Sequence, residues 1–125
     1  NMDWNTRDGI LQQYSDKFGT GYDIYHFDGV PYQVLKKLVK QRFLDPDETQ
    51  NSSPSVKEFM EFMEQHPDLY TAHGYAVSAN RQDYRVSIEG LQATRKLTRA
   101  ELEDFAEFAH GADDFQVRTG YCWWD

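Results

Sequence analysis

Two alternating runs at the centre of the chain, separated by a short polar turn, restrict the fold most strongly. The runs are "AHGYAVS", residues 72–78, and "DYRVSIEG", residues 83–90, and the turn between them is "ANRQ". Apolar and polar side chains alternate along each run, which is typical of two antiparallel strands joined by a turn. The sequence therefore predicts a β-hairpin of strands 70–78 and 83–90.

A four-residue turn places Ser78 opposite Asp83 and so determines which side chains of the hairpin share a face. One predicted face is apolar and aromatic, with His73, Tyr75, Val77, Tyr84, Val86 and Ile88. The other is small and polar, with Gly74, Ala76, Arg85, Ser87 and Glu89. This register predicts a half-buried sheet in which His73 and Arg85 point to opposite sides.

Four helices are predicted around this hairpin. Apolar residues spaced three and four positions apart predict a first helix that ends near Phe18 and a second that begins near Pro31. Ser55 and Thr98 each precede a glutamate by three residues. This is the spacing of a capping box, in which each side chain bonds the other residue's backbone N–H, so both positions predict helix starts.

The C-terminal segment "DFQVRTGYCWWD" alternates again, so residues 115–123 are predicted to form a strand that pairs with the hairpin. Residues 22–27, "YDIYHF", are either a short strand or an extended connection. The predicted fold class is α+β, with about four helices packed against an antiparallel sheet of three to four strands. Residues 2–125 are expected to form a single domain, and Asn1, in front of Met2, is interpreted as a tag-cleavage remnant.

The composition indicates a globular, acidic protein. The hydrophobic fraction is 39%, and the formal net charge is -8 at pH 7. Cys122 is the only cysteine, which excludes an intrachain disulfide and favours a reducing, cytoplasmic location. No run approaches the roughly 18 apolar residues of a membrane-spanning helix, so no membrane association is expected.

Motifs for metal, cofactor and nucleic-acid binding are missing from the sequence. The four histidines occur in no metal-ligand spacing, and no phosphate loop, dinucleotide fingerprint or nucleophile elbow is present. The element order around residues 31–90 could suit a winged helix-turn-helix. Its reading helix would carry Glu58, Glu61 and Glu64 against Lys57, and such acidity opposes phosphate contact. We therefore expect no metal, no cofactor and no nucleic-acid partner.

The first functional hypothesis is a non-catalytic interaction protein, such as an inhibitor or an immunity-type accessory factor. Acidic residues follow one another without an intervening base along the last helix and beyond it: Glu101, Glu103, Asp104, Glu107, Asp113 and Asp114. Together with Trp124 they could bind a basic protein partner, since interface cores are rich in aromatic residues. The alternatives are a solvated helix face and a tryptophan that belongs to the core or to an edge strand.

The second hypothesis is a small-ligand-binding protein or an enzyme that uses the polar hairpin face. Arg85 or Arg81 would hold an anion and Glu89 would act as a base, beside small residues that leave room for a ligand. The alternative is that Arg85 and Glu89 form an ion pair on that face. Because no catalytic signature is present, a non-catalytic role is favoured. A separate expectation is that an uncovered edge strand of the sheet could form a homodimer.

Overall fold

The computed structural model describes residues 4–15, 24–49, 52–77 and 86–125. Within these residues four α-helices and five β-strands form an α+β fold, which confirms the predicted fold class. The helices are α1 (Trp4–Leu11), α2 (Tyr32–Lys40), α3 (Val56–Gln65) and α4 (Arg99–Ala109). The strands are β1 (Ile24–Val30), β2 (Tyr70–Val77), β3 (Val86–Ala93), β4 (Asp114–Gln116) and β5 (Tyr121–Trp123).

The strands form one antiparallel sheet in the order β1-β2-β3-β5-β4, so the expected three to four strands become five. Residues 115–123 are not one strand, because the 3-10 turn Val117–Thr119 divides them into β4 and β5. Gly120, with φ of 69°, takes the left-handed conformation that ends this turn and starts β5. The two edges of the sheet are β1 and β4.

The pairing of β2 with β3 differs by one residue from the predicted register. Ala76 lies opposite Val86 and Gly74 lies opposite Ile88, so the predicted faces were wrong. Farther along, His73 pairs with Gly90, which leaves Glu89 as the extra residue of a β-bulge. The predicted four-residue turn, together with the rest of residues 78–85, lies outside the described residues.

Helices α2, α3 and α4 cover one face of this sheet. Phe62 of α3 packs against Tyr70 with ring centroids 5.2 Å apart, and Phe105 of α4 stacks on the same ring at 5.6 Å. The strand residues that join this core are small or apolar, and Ala72, Ala76, Val86, Ile88, Leu91 and Cys122 are almost completely buried. The residues between them point to the opposite face of the sheet, which is more open.

The predicted capping boxes are confirmed at the starts of α3 and α4. Ser55 Oγ accepts a hydrogen bond from the Glu58 backbone N–H at 3.1 Å, and Glu58 accepts one from the Ser55 N–H at 2.9 Å. The same exchange joins Thr98 and Glu101. Each box satisfies backbone N–H groups that the first helical turn would otherwise leave unpaired.

Helix α1 is joined to the sheet through a buried arginine. Arg7 is completely buried, and its guanidinium donates to the Val77 carbonyl at 2.6 Å and to the Asp8 carboxylate at 2.8 Å. The Tyr25 hydroxyl donates to the same carboxylate at 2.6 Å. The regular helix ends at Leu11 and continues as the 3-10 turn Gln12–Tyr14, so it is shorter than the sequence predicts; residues 16–18 lie outside the described residues.

Candidate functional site

The open face of the sheet contains a cavity of about 540 Å³. Strands β1, β2, β3 and β5 all contribute to it, because their outward-pointing residues lie side by side across the antiparallel sheet. The lining residues are His26, Phe27, Asp28, Gly29, Thr71, His73, Gly74, Glu89, Gln92, Tyr121 and Trp123. We call this site the open-face cavity.

Glu89 points into the open-face cavity, on the side of β3 opposite its buried neighbour Ile88. Only 7% of Glu89 is exposed, although it carries a carboxyl group. One carboxylate oxygen lies 3.6 Å from Nδ1 of His26, and the indole of Trp123 lines the same cavity. Burial is the main cause that raises the pKa of Glu89, and nearby Asp125 acts in the same direction, while His26 and Trp123 oppose it.

The side chain of His73 extends from β2 across β3 and contacts β5. Its Nε2 lies 3.0 Å from the Cys122 carbonyl oxygen, and its ring stacks on Tyr121 with centroids 5.2 Å apart and planes within 10° of parallel. Burial lowers the pKa of His73, and this outweighs its bonds to backbone carbonyls, which favour the charged ring. At neutral pH the imidazole is therefore an uncharged hydrogen-bonding group in the cavity wall.

Gly90 leaves space for the side chain of His73 to extend over β3. Gly90 lies between His73 and Trp123 in the register, and a Cβ atom at Gly90 would lie 2.7 Å from Cε1 of His73. The same Cβ would lie 1.8 Å from the Cys122 carbonyl oxygen, which is far inside the van der Waals distance. A side chain at this position would push His73 and β5 away from β3, so only glycine fits.

His26 stands at the outer rim of the cavity. Its side chain is 72% exposed, and its ring meets the edge of Tyr75 with centroids 6.1 Å apart. Asp28, two residues along β1, is also exposed. The positive φ of 71° at Gly29 accompanies an irregularity in the pairing of β1 with β2 between Phe27 and Val30.

The four predicted site residues are Arg81, Arg85, Glu89 and Trp124, and their outcomes differ. Glu89 lies in the cavity, while Arg81 and Arg85 are outside the described residues. Trp124 is only 2% exposed and packs in the core, with its ring 5.5 Å from that of Phe59. Its position is therefore that of the core alternative and not that of an exposed anchor.

Sequence reasoning missed His26, His73, Tyr121 and Trp123 as residues of this site. The alternation of residues 22–27 and of the C-terminal segment contained the signal, since it places His26, Tyr121 and Trp123 on the face opposite their buried neighbours. The contact between His73 and this set follows from the observed register of β2 with β3, which alternation alone does not reveal. The predicted separation of His73 from Glu89 was therefore wrong.

Neither a metal-binding cluster nor a membrane-spanning helix occurs among the described residues. They contain no group of three or more His, Cys, Asp or Glu side chains arranged to hold a metal ion. Every helix found among them is too short or too polar to cross a bilayer. Comparison of the chain with protein-family models, with curated proteins and with solved structures finds no match.

Proposed function

We propose that the protein binds a small ligand in the open-face cavity. The observation that carries this proposal is the carboxyl group of Glu89, which is 7% exposed and yet lines a cavity of about 540 Å³. Cavities that bind small molecules commonly measure about 300–1,000 Å³ and contain a few convergent polar groups. Keeping a carboxylate out of water costs free energy, and a ligand that hydrogen-bonds to it offsets that cost.

The polar groups of the open-face cavity suit recognition by hydrogen bonds. Glu89 offers acceptor oxygens, Gln92 offers an amide, and Thr71 offers a hydroxyl. The rings of Tyr121 and Trp123 supply flat apolar surface beside these groups. A role of Glu89 as a base would require the ligand to bring a proton within hydrogen-bond distance of the carboxylate, so binding is the property to test first.

A thermal-shift screen of a metabolite panel tests the proposal, followed by ¹H–¹⁵N NMR mapping of each hit. A ligand of the open-face cavity raises Tm and shifts backbone resonances of β1, β2, β3 and β5. Thr71→Tyr adds volume at a half-buried strand position with good strand propensity and should abolish binding without unfolding the protein. Glu61→Gln, at an exposed position of α3, is the matched control. Hits that map elsewhere, or that bind Thr71→Tyr equally well, would refute the proposal.

A second candidate function is binding of a basic protein at the acidic C-terminal region. Phe115, on the short edge strand β4, is 38% exposed, and its neighbours Asp113 and Asp114 are exposed as well. Glu103, Asp104 and Glu107 add exposed acids on α4. An exposed aromatic side chain with acidic neighbours on an edge strand offers apolar surface and negative charge to a basic partner.

Salt dependence distinguishes this second function from small-ligand binding. A complex formed through these acids should lose association rate steeply as ionic strength rises, and Glu103→Lys combined with Glu107→Lys should weaken it strongly. Glu61→Lys changes the charge by the same kind of substitution on α3 and serves as the control. A complex that survives both high salt and the double substitution would exclude this surface.

A further inference from the structure

Among the described residues that line the open-face cavity, the Asp, Glu, Lys and Arg side chains are all acids. Asp28 and Glu89 line it, and Asp125 is close enough to help raise the pKa of Glu89. None of the lining residues in the described part of the chain is lysine or arginine. His73 is held in its neutral form because burial lowers its pKa. The cavity therefore attracts positive charge.

The carboxyl group of Glu89 has hydrogen-bonding capacity beyond its observed contacts. A carboxylate has about four lone-pair positions for hydrogen bonds, and the described contact of this one is that with His26. The contact with His26 is 3.6 Å long, which exceeds the length of a good N–H···O hydrogen bond. A ligand with several N–H donors could bond to this carboxylate at shorter distances.

The aromatic residues of the cavity also favour a cation. Tyr121 and Trp123 line the space around Glu89, and the electron-rich faces of such rings attract ammonium and guanidinium groups. The whole chain carries a formal net charge of -8, which raises the local concentration of cations around it. Local contacts and long-range charge therefore favour the same class of ligand.

On the basis of the proposed function, we infer that the ligand of the open-face cavity is an organic cation, whose ammonium or guanidinium group binds the carboxylate of Glu89 beside Trp123 and Tyr121. Two sources could supply this chemistry. One is a free amine or guanidine metabolite, and the other is a lysine or arginine side chain of a peptide. The same contacts would recognise both, so the experiment includes both.

The pH dependence of binding follows from the groups that face Glu89. These are His26 from β1, His73 from β2, Tyr121 from β5, and the acids Asp28 and Asp125. A cation binds the ionised carboxylate, and burial raises the pKa of Glu89 above its ordinary value of 4.5. Affinity should therefore fall as the pH decreases, beginning above the range of an ordinary glutamate. Protonation of His73 acts in the same direction.

NMR titration of the full chain with three compounds of similar size tests the inference. Benzylamine carries a positive charge, benzyl alcohol is neutral, and benzoate carries a negative charge. We expect benzylamine to bind at least about tenfold more tightly than benzyl alcohol, benzoate to bind least, and the Trp123 indole resonance to shift. The peptide acetyl-Gly-Arg-Gly-amide, titrated in parallel, represents a protein-borne guanidinium group.

Glu89→Gln keeps the size of the side chain but removes the charge. It should reduce the affinity for benzylamine about tenfold and leave that for benzyl alcohol unchanged, while Glu61→Gln should leave both unchanged. If Glu89→Gln does not fold, the comparison of the three compounds on the native chain still decides the question. Trp123→Phe then provides a second variant, with an expected loss of several-fold.

Different binding results would overturn the preference for a cation and the binding of small ligands as such. Tighter binding of either benzylamine or the arginine peptide supports the inference, and the tighter of the two identifies the source of the cation. If benzylamine and the arginine peptide both bind no more tightly than benzyl alcohol, or if benzoate binds best, the inference is overturned but small-ligand binding stands. If none of the compounds or panel metabolites shifts a cavity resonance, the proposed function fails as well.

Discussion

The Nδ1 atom of His26 on β1 lies 3.6 Å from a carboxylate oxygen of Glu89 on β3, although β2 runs between these two strands. The side chains meet above the sheet, on the face that the helices leave open. Glu89 lies on the side of β3 opposite its buried neighbour Ile88, which is the side of the sheet that His26 occupies. Contact across an intervening strand makes this relationship a property of the assembled sheet.

Glu89→Gln should stabilise the protein at pH 7, by about 1 kcal/mol, because a neutral amide loses less hydration than a buried carboxylate. Burial raises the pKa of Glu89, so the protonated form is the one that folding favours. That stability is fully present below the ordinary pKa of 4.5 and is lost as the pH rises through the folded-state pKa. The stability advantage of Glu89→Gln should therefore develop as the pH rises from 4.5 through the folded-state pKa of Glu89, and it should disappear at lower pH.

Urea unfolding of both proteins across a pH series measures this difference. Glu61→Gln should show no comparable trend, since Glu61 is exposed. A Glu89→Gln variant that is less stable than the native chain at pH 7 would mean that the contacts with His26 and Trp123 outweigh the cost of burial.

Two buried tyrosines should respond oppositely to loss of the hydroxyl. The Tyr25 hydroxyl donates to the Asp8 carboxylate at 2.6 Å, so Tyr25→Phe should cost about 1–2 kcal/mol of unfolding free energy. The Tyr70 hydroxyl is buried and has no hydrogen-bond partner among the described residues, so Tyr70→Phe should be neutral or slightly stabilising. Chemical denaturation compares the two, and a loss above about 1 kcal/mol for Tyr70→Phe would indicate a bound water or another partner at its hydroxyl.

Gly90→Ala should prevent folding or cost more than about 3 kcal/mol, because the new Cβ would lie 1.8 Å from the Cys122 carbonyl oxygen. Gly111→Ala is the matched control, since no atom lies within 4 Å of the corresponding Cβ position. Its effect should stay within about 0.5 kcal/mol. Thermal unfolding followed by circular dichroism tests both, and equal stability of the two variants would show that β3 and β5 are not packed as described.

The Cys122 thiol should resist alkylation in the folded protein. Cys122 is completely buried, and burial raises the pKa of its thiol to about 12, so almost no thiolate exists near pH 8. Iodoacetamide should react on the order of a thousandfold more slowly than it does in denaturant, at a rate that reports opening of β5. Mass spectrometry of timed samples measures the rate, and rapid labelling under native conditions would show that β5 detaches easily.

Helix starts were predictable because their causes are local. Each of the two capping boxes needs a hydroxyl residue and a glutamate three positions later, and both predicted boxes form as expected. The α+β class was also predictable, because helical periodicity and strand alternation occupy different segments of the chain. These signals extend over a few residues and need no knowledge of distant partners.

The candidate site was predictable only in part. Glu89 stood out as an acid in a strand otherwise rich in apolar residues, but its surroundings were assigned to the wrong face. A register error of one residue exchanges the two faces of a strand, and an extra residue in a bulge exchanges them again beyond it. The neighbours of Glu89 come from β1, β2 and β5, which are separated along the chain by helices and turns.

The helix starts, the alternating segments and the acidity of the chain follow from short stretches of sequence. The position of Trp124 in the core, the five strands of the described sheet, and the meeting of His26, His73 and Glu89 in one cavity follow from contacts between distant segments. The two sets differ in how far apart along the chain the interacting residues lie. Caps and periodicity depend on neighbours within about one helical turn, whereas strand order, register and the bulge depend on backbone hydrogen bonds between distant segments.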